Sequence, residues 1–505
     1  MIVIVQKHTR QGPIFSLNLI ELSIFGIFIC IAAGLRFVLL FQNIDYDEAY
    51  TYLTYVSQGY FSSWSTYNLP NNHIFNSIVS VFSTQLFGAR PEVLRFFPLI
   101  FGVCSLPVFY YLLKKFFQPK IAAMAAVVSW CSYALIQYSA QARGYSSQVF
   151  FFYLSLVLFL YGTSRWMMFF SIVCMSLALL SVPTTIFALM IFAFVFLLRQ
   201  REDFKKILFW GIKIGLLTAF WYLPAMIYVL TMGTKTFGFK EKVTFEIILG
   251  KVENILLFFH PTESMTMIMA ELTLCLFGLV LASRRTLTRP LSVGLLITLP
   301  ALVLVYPSAL VFERLWIWII PIFFAFVFQG FYEITQWGIS EKASRQILLI
   351  FFVTFGAMTI TTSYQKSHVS SLRYENTSES LYDDLVQILK PGDFLAVSQS
   401  LVTELNYWSF LHGKKNGFSR YLIDGDWSYS FYRQSADAMV LQKHFGQNRI
   451  FLISHVDEQI HRGLQLSLNY LNLDTNQRWT MSDLQVNELN LKTKKANISE
   501  VILKR

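Results

Sequence analysis

Three carboxylates fall within four residues at Asp45-Tyr46-Asp47-Glu48, directly after the first long apolar run of the chain. Carboxylates grouped this closely repel one another and lose solvation when partly buried, so a cation or a proton has to relieve them. The same tetrapeptide also suits a plain helix start, because Asp caps a helix and a first-turn Glu complements its dipole. Basic partners are available: Arg143 lies in QARGYS and Arg314 in VFERLWIW, each beside an apolar run. A single interfacial Arg is ordinarily a snorkelling anchor. Two guanidiniums, an acidic cluster and His73 on one face of a bilayer can do more, namely bind a phosphate and activate a hydroxyl. Arg suits the first task because its planar fork gives paired, charge-assisted hydrogen bonds to phosphate oxygens.

The chain that must position these residues is strongly apolar. Of its 505 residues, 55% are hydrophobic and 14% charged, against about 25% charged in a soluble globular protein. The apolar residues arrive in runs of about 18–25, the length that crosses a bilayer. A soluble enzyme, a disordered chain and a fibrous repeat are excluded. The net charge of +11 sits in clusters at the ends of apolar runs, which points to a membrane surface and away from nucleic acid. The cysteines (Cys30, Cys104, Cys131, Cys174 and Cys275) lie inside apolar runs without CxxC spacing. They read as small core- or lipid-facing side chains and not as a metal or disulfide framework. No Gly-rich phosphate loop gives P-loop or dinucleotide chemistry a foothold.

Runs at 18–41, 92–113, 120–140, 144–162, 166–181, 183–198, 206–230, 263–282, 291–310, 313–333 and 345–363 predict about eleven spans, the first of them uncleaved. Residues 73–88 are left out of that count, since they would reach only about 24 Å across a core of about 30 Å, a short tilted span being the alternative. Their apolar stripe (Phe75, Ile78, Val79, Phe82, Leu86) opposes a polar one (Asn76, Ser77, Ser80, Ser83, Thr84), which predicts a helix lying in the interface plane. With that helix flat, the basic loops 114–120, 163–165, 199–206, 283–289 and 341–345 join the N-terminal tail on the cytoplasmic side, as the positive-inside rule requires. Loop 42–91, the junction at 141–146, the turns near 181–185 and 306–314, loop 231–262 and the chain after 364 then face outward. The expected architecture is an α-helical polytopic membrane domain over 1–363 with a small extracytoplasmic α/β domain over 364–505. The latter is read from DDLVQILKPGDFLAV and NRIFLISH, a helix and short buried strands.

Four segments in order, DYDEAYTYL, YNLPNNHIFNSIVSVFSTQLFG, EVLRFFPLIFG and QYSAQARGYSS, resemble the GT-C glycosyltransferases of the protein O-mannosyltransferase and aminoarabinose-transferase type. The resemblance covers roughly residues 20–230, and VFERLWIWIIP is similar to that family's outward Arg-aromatic turn. NNHI stands where many relatives have His-Pro-Pro, and Leu315 where an Arg-Tyr pair is common. The resemblance implies transfer of one sugar from a polyprenyl-phosphate donor to a protein, lipid or glycan acceptor outside the cytoplasm, usually with inversion. Carried over by position, it implies that Asp47 and Glu48 hold or deprotonate the acceptor. Arg143 of the ARGY motif, with Tyr145, and the later Arg314 would hold the lipid phosphate, and Asp45 and His73 would complete the substrate site.

The residue types fit that chemistry. An attacking hydroxyl needs a base within about 2.6–3.2 Å. The leaving lipid phosphate gains charge as its bond breaks, which fixed cations stabilise. A glycosidase would need two carboxyl groups with split pKa values instead. No cofactor is expected. Asp45, Asp47 and Glu48 could offer oxygens to a divalent metal, but no second acidic cluster stands outside. The lysines of loop 231–262 (Lys235, Lys240, Lys242, Lys251) and His260 could order over a donor or form a solvated basic loop. Trp316 and Trp318 are expected in the interfacial aromatic belt. The competing reading is a transporter or flippase of a lipid-linked substrate, which places polar residues near the midplane on broken helices. A non-catalytic scaffold is a third. The expected location is the plasma (cell inner) membrane, with the site on the extracytoplasmic side.

Overall fold

The computed structural model describes residues 19–69, 71–199, 203–232, 250, 253–255, 265–305, 313–337, 339–367, 377–388, 394–397, 399–412, 450–455, 484–488 and 496–503. Lys235, Lys240, Lys242, Lys251 and His260 lie outside these residues. The chain opens with α1 (Leu19–Leu39), α2 (Tyr46–Thr54), α3 (Tyr60–Ser65), α4 (Ile74–Phe87), α5 (Pro91–Leu94) and α6 (Phe96–Leu113). It continues with α7 (Pro119–Trp130), α8 (Tyr133–Ser139), α9 (Tyr145–Tyr161), α10 (Arg165–Ser181), α11 (Thr185–Arg199) and α12 (Phe204–Met232). Later helices cover Met265–Ala282, Arg289–Val305, Ile320–Thr335 and Glu341–Lys366.

Within the described residues each apolar run expected to span is mainly helical, and residues 306–310 of one run lie outside them. Among the described residues, five helices are long and apolar enough to cross a bilayer: α1, α6, α12, Glu313–Thr335 and Glu341–Lys366. The run at 120–140 is α7 and α8 with a 57° bend between them. The remaining runs form shorter helices, such as α9 and α10 at 17 residues each, reaching about 26 Å.

The bend after Trp130 has an identifiable support. A broken helix frees backbone carbonyls that a bilayer cannot solvate, so protein groups must satisfy them. Arg36, buried on α1, donates from Nη2 to the Trp130 carbonyl at 2.6 Å and from Nη1 to that of Ala32 at 3.1 Å. Its guanidinium carbon lies 4.0 Å from the centre of the Trp130 ring, so the charge is stacked as well as bonded. Elsewhere small residues set the packing. A Cβ on Gly278 would lie 2.1 Å from the Phe326 carbonyl, and one on Gly330 2.1 Å from that of Leu274. Only glycine lets these two helix backbones meet so closely.

Two expectations are corrected here. The 73–88 segment is a helix, but its polar stripe meets protein and not water. Asn76, Ser77, Ser80 and Ser83 are buried, while Phe82, Leu86 and Phe87 are exposed. Asn76 Nδ2 donates to the Ala142 carbonyl at 3.0 Å, and Ser77 Oγ to Asn72 Oδ1 at 2.8 Å. An amphipathic stripe reports two different surroundings without saying which is aqueous. Likewise Trp316 and Trp318 do not line an interfacial belt. Both are buried in a 3-10 turn, Glu313–Ile319, where the Trp318 carbonyl accepts the Tyr153 hydroxyl at 2.7 Å.

Beyond 363, helices Ser378–Ile388 and Gln399–Leu411 accompany β1 (Phe394–Val397), β2 (Ile450–His455), β3 (Leu484–Glu488) and β4 (Ala496–Leu503). The strands form one mixed sheet in the order β1-β2-β4-β3, with β1 and β2 parallel and the other pairs antiparallel. Leu401, Leu405, Tyr407 and Trp408 pack into the same apolar cluster as Ile44, Ala49 and Tyr52. This part of the chain therefore braces α2 from behind.

Candidate active site

The first turn of α2 sorts the acidic cluster into three different environments. Asp45 is the N-cap and accepts from the Tyr46 amide at 2.8 Å, which satisfies an orphan donor of the helix start. Glu48, one turn on, points into the protein. Its Oε2 accepts from the Asp45 amide at 3.0 Å and its Oε1 from the Ala142 amide at 2.5 Å. Both oxygens also accept from Arg95, Nε to Oε1 at 2.9 Å and Nη2 to Oε2 at 2.5 Å. Arg95 spends its remaining protons on the carbonyls of Leu40, Gln42 and Asn43, at 2.9, 2.6 and 2.9 Å. Glu48 does not line the cavity described next, and its oxygens are fully engaged.

Asp47 turns the other way, into a cavity of about 390 Å³ lined by Tyr46, Tyr50, Tyr67, Asn71, His73, Arg143, Tyr145, Thr184, Arg314 and Leu315, among others. Asp47 Oδ2 is ion-paired with Arg143 Nη1 and lies 3.8 Å from Arg314 Nη1. Asn71 bridges the first pair: its Nδ2 donates to Asp47 Oδ1 at 3.3 Å and its Oδ1 accepts from Arg143 Nη2 at 2.8 Å. The Tyr145 ring lies near both guanidiniums, its centre 5.5 Å from Arg143 and 6.0 Å from Arg314. Arg143 is only 4% exposed and Arg314 32%. The structure thus brings Asp47, His73, Arg143, Tyr145 and Arg314 to one cavity, and leaves Asp45 and Glu48 outside its lining.

Local sequence explains the convergence. Arg143 sits in the turn between α8 and α9, where Gly144 comes so close to neighbours that a Cβ would lie 2.4 Å from the Ser181 carbonyl and 2.8 Å from His73 Nδ1. His73 Nδ1 is 2.7 Å from the Ser181 carbonyl. A carbonyl only accepts, so Nδ1 carries the proton and Nε2, 3.3 Å from Arg143 Nη2, is the acceptor. Burial lowers the His73 pKa to about 4, which keeps the ring neutral beside two guanidiniums. Asn72 holds the preceding loop by donating to the Ser63 and Thr66 carbonyls at 3.0 and 2.8 Å.

The sequence reading missed Arg95 and Asn71. Arg95 stands inside an apolar run beside the acidic cluster's own face, and a buried carboxylate needs a partner of that kind. Asn71 belongs to the NNHI segment, whose departure from the family pattern was the available signal. Within the acidic trio Glu48 is paired with Arg95 and Asp47 with Arg143. Among the described residues no group of three or more His, Cys, Asp or Glu side chains converges.

No protein-family model and no curated protein sequence matches the chain. Solved structures do. ArnT from Cupriavidus metallidurans, in the apo state and bound to undecaprenyl phosphate, aligns over 94% of this chain and 97% of its own, with TM-score 0.55 and 12% identity. The oligosaccharyltransferase of Archaeoglobus fulgidus in complex with Zn and sulfate aligns over 86% and 68%, with TM-score 0.52 and 15% identity. The same enzyme, AglB, with an inhibitory peptide and a dolichol-phosphate aligns over 86% and 69%, at 0.50 and 15%. Across nearly its whole length, then, the chain shares the fold of ArnT and of the archaeal oligosaccharyltransferase.

Proposed function

We propose that the protein is an inverting glycosyltransferase that moves one sugar from a polyprenyl-phosphate donor to an acceptor on the extracytoplasmic side of the plasma (cell inner) membrane. The observation that carries this reading is Asp47, held between Arg143 and Arg314 in one cavity. The fold shared with ArnT, solved with undecaprenyl phosphate, and with AglB, solved with a dolichol-phosphate, supports the donor class.

In this reading Arg143 and Arg314 engage the donor phosphate. The acceptor oxygen attacks the anomeric carbon, its proton passes to Asp47, and the carbon–oxygen bond to phosphate breaks with the electron pair leaving on the lipid phosphate. The guanidiniums stabilise the charge gathering there. Asp47 is a weak base while Arg143 holds it, because an opposite charge within about 4–6 Å favours the ionised carboxylate. Engagement of Arg143 by the donor phosphate draws the fork from Asp47 and restores its basicity, so donor binds before acceptor. Glu48 and Asp45 act as positioning residues, the former through Arg95 and the Ala142 amide, the latter as the cap of α2. Tyr145 offers its ring to both cations, and His73 orients Arg143.

The test is a panel of radiolabelled polyprenyl-phosphate sugars offered to the purified protein in detergent. Release of lipid phosphate from one donor class is expected. If no donor is bound or consumed while the protein remains folded, the transferase reading fails.

A further inference from the structure

Helices that begin at the cavity end together at a second cluster. α9 runs from Tyr145 to Tyr161, α11 from Thr185 to Arg199, and α6 from Phe96, next to Arg95, to Leu113. Lys114 and Lys115 follow α6, and Lys206 lies in the first turn of α12. Each of these cations is set over a ring. Lys115 Nζ lies 3.5 Å from the centre of Tyr161 and Lys114 Nζ 5.7 Å from that of Tyr110. The Arg199 guanidinium carbon lies 4.9 Å from Phe116, and Lys206 Nζ 5.3 Å from Phe159. Arg199 Nη1 also donates to the Lys115 carbonyl at 3.1 Å, which ties two of the chains' basic positions together.

Among the described residues none of the four is ion-paired with a carboxylate. Burial, and then the charges of Arg199 and Lys114, make Lys115 hold its proton less firmly than usual. Like charges held close on aromatic faces form a prepared anion site. Beside it Phe204, Leu208 and Phe209 at the start of α12 are exposed, a ready surface for hydrocarbon. An anion at this level with an apolar tail to lay on those rings is a lipid headgroup.

We propose that Lys114, Lys115, Arg199 and Lys206 form a binding site for the phosphodiester headgroup of an anionic glycerophospholipid, at the end of the helix bundle away from the cavity. The site is independent of the transfer reaction and stands whether or not that reaction is confirmed.

The probe is a short-chain fluorescent phosphatidylglycerol, titrated against the full-length protein in neutral detergent and followed by anisotropy, with the phosphatidylcholine analogue in parallel. The wild type is expected to prefer phosphatidylglycerol by about tenfold. Replacing Lys114, Lys115, Arg199 and Lys206 together by Gln should reduce the preference to within about twofold, whereas Gln at Arg284, Arg289, Lys342 and Arg345 should leave it. Raising salt from about 0.05 to about 0.5 M should erode the preference in the wild type, a readout that needs no variant to fold. Inorganic phosphate at the lipid's concentration should compete poorly, since it brings no hydrocarbon. Equal affinity of the wild type for both lipids would overturn the proposal. So would an equal loss in the two variants, or displacement by inorganic phosphate as effective as by the lipid.

Discussion

Glu48 and Arg95 form a bidentate ion pair that water does not reach, both side chains being essentially unexposed. The pair joins the end of α1, through the carbonyls that Arg95 holds, to the Ala142 amide immediately before Arg143. It therefore fixes how far Asp47 stands from Arg143 without touching the cavity. Removing one partner of a buried pair leaves an uncompensated charge, at a cost of about 3–5 kcal/mol. Arg95→Met should lower the thermal unfolding midpoint steeply, and Glu48→Gln less so because Gln keeps the shape. Glu48→Gln with unchanged unfolding but abolished turnover would instead make Glu48 a reacting group.

The two cavity arginines should separate on Lys substitution. Arg143 is buried, donates to Asn71 and Asp47, and contacts His73. Arg314 is a third exposed and 3.8 Å from Asp47. Lys keeps the charge and loses the fork. Arg143→Lys should weaken both donor affinity and turnover, by about 1.5–3 kcal/mol, and Arg314→Lys by less. Donor saturation curves for both variants measure this. Wild-type curves for Arg143→Lys would leave it as a mere anchor.

Gly144 should not tolerate a side chain. A Cβ there meets the Ser181 carbonyl and His73 Nδ1, at 2.4 and 2.8 Å, and backbone has to move. Overpacking of this kind costs about 1–3 kcal/mol. Gly144→Ala should displace the Arg143 turn and depress turnover more than stability. Measured together, turnover and unfolding midpoint would show it; an unaffected turnover would mean the turn gives without consequence.

The activity–pH profile should lack an inflection near 6.5 from His73. Its folded pKa is about 4, lowered chiefly by burial, below the unfolded value of about 6.5. Between these values the unfolded chain binds the extra proton, so the stability that His73 contributes is present above about 6.5 and is lost as pH falls towards 4. His73→Asn should flatten stability against pH across that window. A wild-type activity step centred at 6.5 and absent in the variant would contradict the assignment.

How much of this was legible in the sequence follows from what each feature depends on. Apolar run lengths report where helices lie, and the described parts of the expected runs are mainly helical, although among them only five helices are long and apolar enough to cross a bilayer. The convergence of Asp47, His73, Arg143, Tyr145 and Arg314 followed from topology plus family motifs. The division of labour inside DYDE did not, because adjacent carboxylates on a helix turn point in different directions, and only the location of Arg95 decides which is buried. The polar face of α4 was likewise ambiguous, since Asn76 needs a hydrogen-bond partner that water or the Ala142 carbonyl can supply equally well. Trp316 and Trp318 matched the aromatic-belt pattern, yet pack in the interior. Interfacial and buried tryptophans look alike until neighbours are known.

The central claim is that Asp47 takes the acceptor's proton once donor phosphate occupies Arg143. Single-turnover sugar transfer by Asp47→Asn, with donor binding measured on the same preparation, tests it most directly. The account predicts donor affinity equal to or tighter than wild type, since Arg143 is no longer shared, and a transfer rate lower by about 10²–10⁴-fold. Transfer at the wild-type rate by a folded, donor-saturated Asp47→Asn protein would contradict it.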